Sequence, residues 1–100
     1  MATILKARGS MTKDLVTPHH VGDQVVALTS ERQSRGHVRV GAVGTIRRLV
    51  ISAPNDGDAT FVMAYVRVRC GTVFLHPSEF APAAEAEAHL WARKQIDALA

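Results

Sequence analysis

One hundred residues, 47% hydrophobic and 21% charged, fit a single globular domain and exclude a second domain or a disordered chain. A formal charge of +3 and a pI near 9.6 allow a nucleic-acid partner without requiring one. No run approaches the roughly 18 apolar residues of a membrane helix, no signal-peptide pattern opens the chain, and the lone Cys70 can form no internal disulfide. A cytoplasmic protein with no membrane partner is expected.

In chain order, residues 1–20 read as a flexible lead-in, polar and without period. Within it Gly9-Ser10-Met11 has the form of a cloning scar, which makes residues 1–10 a candidate tag and Met11 a candidate native start. Val21 to Leu28, opened by Gly22-Asp23, predicts the first strand. Thr29 to Arg39 is polar, carries Arg32, Arg35, His37 and Arg39, and predicts a loop pivoting at Gly36. A second strand opens at Gly41 and runs to Ile51; Arg47-Arg48 breaks its alternation, which predicts a bulge of the kind a small barrel needs to close. Ala53 to Asp58 is dense in turn residues.

Thr60 to Cys70 carries the clearest signal. Val62, Ala64, Val66 and Val68 alternate with Phe61, Met63, Tyr65, Arg67 and Arg69, so a small, branched set faces an interior and an aromatic and cationic set faces outward. Gly71 turns the chain into Thr72–Leu75, and His76–Phe80 predicts a short helical turn. From Ala83 onward the chain is rich in helix formers, with Ala84, Ala88, Trp91, Ala92, Ile96 and Leu99 on one face and Leu90 alone among polar residues. The expected architecture is mostly β: a five-stranded SH3-like barrel over residues 21–82, with one C-terminal amphipathic α-helix over 83–100 packed on the barrel or on a partner.

Two family resemblances accompany this reading. Gly41-x-x-Gly44-x-Ile46 resembles the core of a KOW motif, a signature of small barrels in ribosomal and transcription-elongation proteins, and implies that the glycines turn the backbone tightly into the strand. Val21 to Pro82 resembles the plasmid-encoded type II dihydrofolate reductases, single SH3-like barrels whose late segment reads Gly-Ser-Val-Gln-Ile-Tyr-Pro. Here that stretch is Gly71-Thr72-Val73-Phe74-Leu75-His76-Pro77. Phe74 stands where the resemblance implies the active-site Gln, and Leu75 and His76 replace the Ile and Tyr. A phenyl ring cannot make the hydrogen bonds of a buried amide, so the resemblance implies the fold and not the chemistry.

Three functions follow. A non-catalytic binding module that recognises a protein or self-associates would use Trp91, Leu90, Met63, Ile96 and Leu99 as its interface. A nucleic-acid-binding KOW-like barrel would use Phe61 and Tyr65 to stack bases and Arg67, Arg69, Arg47 and Arg48 to hold phosphate; the nine arginines to three lysines suit such contacts. A type II reductase-like enzyme is the third. The first is preferred, with Trp91 expected to be buried against Phe61, Met63 and Tyr65 or against another subunit. His19 and His20 are adjacent, His37, His76 and His89 lack paired spacing, and Asn55–Asp58 is too short for a calcium loop, so no metal, cofactor or catalytic residue is expected.

Overall fold

The computed structural model describes residues 2–7, 13–52 and 60–99, without the side chains of residues 93, 96, 97 and 99. The chain is mostly β with one α-helix. Its strands are β1 (Thr3–Leu5), β2 (Leu15–Thr17), β3 (Gln24–Ala27), β4 (Glu31–Gln33), β5 (Gly36–Val38), β6 (Val43–Ser52), β7 (Phe61–Val68), β8 (Gly71–Leu75) and β9 (Phe80–Pro82). A 3-10 turn at Pro77–Glu79 precedes β9, and α1 (Ala86–Leu99) ends the chain.

β1 and β2 pair with each other, and the other seven strands form one antiparallel sheet in the order β4-β5-β8-β7-β6-β3-β9. Among the described residues no ladder joins β4 to β9, so the sheet is open where five strands closing a barrel were expected. Two segments account for the extra strands. Residues 3–5 and 15–17 form a hairpin where an unstructured lead-in was expected, and the polar stretch after Thr29 forms the β4–β5 hairpin in place of a loop. The Gly9–Met11 and Ala53–Asp58 readings lie outside the described residues.

The alternation in β7 sorts as its sequence predicts. Val62, Ala64, Val66 and Val68 are buried, and the last three join Val25, Val38, Ile46, Val73, Leu75 and Phe80 in one core. Ile46 and Val73, at 0% exposure, are its centre. The bulge also falls where predicted: Ile46 faces Val66 and Arg48 faces Tyr65, with Arg47 the inserted residue. Gly44, in the KOW-like segment, makes a close approach to β7. A Cβ there would lie 2.5 Å from Val66 Cγ1 and 2.9 Å from Arg67 O, so the residue must be small for β6 and β7 to pack.

The helix docks differently from expectation. α1 meets β9, and the side turned to the sheet carries Ala86, 4% exposed, and half-buried Leu90. Ala84, Ala88 and Ala92 are exposed, and Trp91 is 65% exposed. Burial of Trp91 against the Phe61–Met63–Tyr65 row is thereby corrected. The chain leaves β9 through a turn whose bonds, Glu85 N to Pro82 O and Ala86 N to Ala83 O, bring Ala86 and not the Trp91 face onto β9. Ile96 and Leu99 lie outside the residues whose side chains are described. No helix among the described residues is long and apolar enough to cross a membrane.

Candidate nucleic-acid interface

The outer face of β6, β7 and β8 gathers most of the candidate residues. Strand register sets the arrangement: Arg48 stands opposite Tyr65, and Tyr65 opposite Phe74, so one row crosses three strands. A second row places Val50 opposite Met63, and a third Ser52 opposite Phe61. Tyr65 and Phe74 meet with ring centroids 4.6 Å apart and planes tilted by 32°. Phe61 meets the His76 ring edge-on at 4.9 Å, a geometry aromatic quadrupoles favour. Two ring pairs therefore lie roughly 13 Å apart along β7, the span of four strand residues.

The β4–β5 hairpin closes one side of this face. Gln33 Nε2 donates to Phe74 O at 2.8 Å, and Phe74 N donates to Gln33 Oε1 at 2.7 Å. One side chain thus satisfies both main-chain groups of Phe74, as a neighbouring strand would. The hairpin tip is held by two glycines. Gly36 pairs with Gly71, Thr72 N donates to Arg35 O, and His37 N donates to Cys70 O. Gly71 has φ +113°, and a Cβ on it would strike Arg35 O, so no other residue fits. The result is a shallow groove lined by Gln33, Ser34, Arg35, Tyr65, Thr72 and Phe74.

Cations adjoin the Tyr65–Phe74 pair. Arg67 continues the outer row of β7 opposite Thr72, and Arg69 sits in the two-residue β7–β8 turn beside the Gly36 contact. Arg47, Arg48, Arg67 and Arg69 are all exposed. The ion pairs found among the described residues are Lys6–Asp14 and His20–Asp23, so no arginine there is matched by a carboxylate. The groove adds Arg35, Thr72 and above all Phe74, which the sequence reading treated only as a lost Gln. A hairpin register counted back from the Arg69–Cys70 turn would have placed Phe74 opposite Tyr65.

The remaining candidates have other duties. His76 caps the 3-10 turn: Ser78 N donates to its Nδ1 at 3.1 Å while His76 N donates to Glu79 Oε1 at 2.7 Å. His19 packs on Phe80, with centroids 4.8 Å apart. Burial lowers its pKa from the ordinary histidine value, and Asp23 opposes that shift. Leu90 is half-buried and Trp91 exposed on a helix that meets β9.

No protein-family model, no curated protein and no solved structure matches this chain.

Proposed function

We propose that the chain is a non-catalytic binding module whose outer β6–β7–β8 face takes single-stranded nucleic acid. One observation carries the reading: the Tyr65–Phe74 pair, on strands other than the β9 that α1 meets, stands beside Arg35, Arg48 and Arg67, which no described carboxylate pairs. Bases stack on aromatic faces with about 1–3 kcal/mol each and little regard for sequence, while guanidinium groups hold the phosphates. The open, bulged sheet is read as a variant of the SH3-like architecture, supported by the bend in β6 and by the pairing of β3 with both β6 and β9. Phe74 paired with Tyr65 also supports a binding role over a reductase one, since the ring offers no substrate hydrogen bond.

Fluorescence anisotropy with labelled single-stranded and duplex oligonucleotides tests this. Single strands should bind more tightly than duplex, and Tyr65→Ala should weaken them. Equal binding of both, or binding unaffected by Tyr65→Ala, removes the stacking role. Turnover of dihydrofolate with NADPH would restore the enzyme reading.

A second reading, a protein-interaction module that self-associates, is favoured by exposed Trp91 on the helix face turned from the sheet.

A further inference from the structure

We infer that α1 is the docking site for a second copy of this chain, the two helices packing antiparallel about a twofold axis. This rests on the self-association reading and is independent of the nucleic-acid one.

The sheet uses only part of the helix. Ala86 and Leu90, four residues apart, face β9, and the opposite side is unpartnered. On that opposite side Ala88, Trp91, Gln95 and Ala98 recur at spacings of three, four and three, with Ala84 one step before them in the turn that leads into the helix, and all five are exposed. That is the spacing of a coiled-coil seam. A helix of 14 residues is marginal in water without a packed face, and among its described side chains Ala86 is buried and Leu90 half-buried.

The seam has one large side chain among small ones, which selects the direction of its partner. In an antiparallel pair the layer that sets Trp91 against Ala88 of the second copy also sets Ala88 against the second Trp91. Each indole then fills the space that the facing alanine leaves. A parallel pair would instead stack Trp91 on its own copy and leave the alanine layers empty.

Charge complementarity points to the same partner. Glu87 and Lys94 both precede seam positions and flank the same side of it, seven residues apart. Antiparallel packing with Trp91 over Ala88 brings Glu87 of each copy beside Lys94 of the other, giving two equivalent cross-pairs. Parallel packing aligns Glu87 with Glu87 and Lys94 with Lys94. Acid near the start and base near the end also suit the helix dipole, but the dipole requires no particular seam position, and exchanging the two charges separates these effects.

Sedimentation equilibrium across a wide concentration range, with Trp91 emission recorded in parallel, tests the inference on the full chain. A concentration-dependent dimer whose indole emission moves to shorter wavelength is expected. Trp91→Ala should weaken dimerisation by roughly tenfold or more, and Glu87→Lys by about fivefold. The exchange Glu87→Lys with Lys94→Glu should restore the dimer, although it opposes the helix dipole. A monomer at every concentration overturns both the helix pairing and self-association. A dimer that Trp91→Ala and Glu87→Lys leave intact overturns the helix pairing alone, and failure of the exchange to restore a dimer lost on Glu87→Lys overturns the antiparallel arrangement.

Discussion

Tyr65 and Phe74 owe their meeting to a turn of only two residues, Arg69 and Cys70, which fixes the β7–β8 register without slack. Tyr65→Ala should therefore cost oligonucleotide affinity about 1–3 kcal/mol, read by titration against the parent chain, with melting little changed because the ring is not in the core. Gly71→Ala is the opposite case. Its positive φ and the Arg35 carbonyl leave no room for a methyl group, so thermal or urea unfolding should show a loss above about 1 kcal/mol. His19 adds a pH dependence. An unfolded histidine titrates near 6.5, and burial holds the folded group lower. Between the two values the unfolded chain binds a proton that the fold refuses. Stability is complete above about pH 6.5 and falls as the pH drops toward the folded value. Melting curves of His19→Gln between pH 7.5 and 5 should be flatter than those of the parent; an unchanged slope assigns the effect elsewhere.

At the level of elements, β7 was legible because Val62, Ala64, Val66 and Val68 mark a period of two over eight residues. β1, β2, β4 and β5 were not, because three residues hold no measurable period. β4 and β5 are stabilised by what lies outside them, the Gly36–Gly71 contact and the Gln33 bridge. Gln33→Ala removes both partners of the Phe74 main chain. Losing two such bonds should cost about 1–3 kcal/mol and loosen the groove wall, which amide exchange at Phe74 would register. The helix was legible as a helix, but its docked side was not, since alanines on two faces differ little in hydrophobicity and the turn at 83–85 decides between them. Trp91→Ala in dilute, monomeric protein should shift stability by no more than about 0.5 kcal/mol. A large drop in melting temperature there would mean that the indole is packed within its own chain.

Across the whole molecule the sheet order separates the charges. Arg32, Arg35, Arg67 and Arg69 outnumber Glu31 in the β4-β5-β8-β7 half, while Asp23, Glu79, Glu85 and Glu87 outnumber Lys94 around β3, β9 and α1 among the described side chains. A modest net charge of +3 thus hides a one-sided field. If Arg35, Arg48 and Arg67 each meet one phosphate, log K for single strands should fall against log salt with a slope of about −2. Arg67→Gln should reduce that slope by about 0.7, and a slope near zero would remove the phosphate contacts. The aromatic and cationic row of the site could be read from residues 61–69 alone; Arg35 and Phe74 needed the fold, because thirty-nine positions separate them and the Gly36–Gly71 contact and the Gln33 bridge bring the β4–β5 hairpin against β8.

The extra residue in β6 is also a counting device. Ile46 and Leu49 both turn toward the core although three positions separate them, an odd interval that uninterrupted alternation forbids. Arg47 absorbs the mismatch. Replacing its side chain should be nearly silent, because the guanidinium is exposed. Deleting the residue should leave every side chain on its own face, since Ile46, Arg48 and Leu49 then alternate without interruption, whereas deleting Val50 would send Ile51 outward. In a mutational library this position should therefore accept nearly every amino acid and even a missing codon, while a missing codon at Val50 should be rejected, so that the strand has one residue to spare at the bulge and none beyond it.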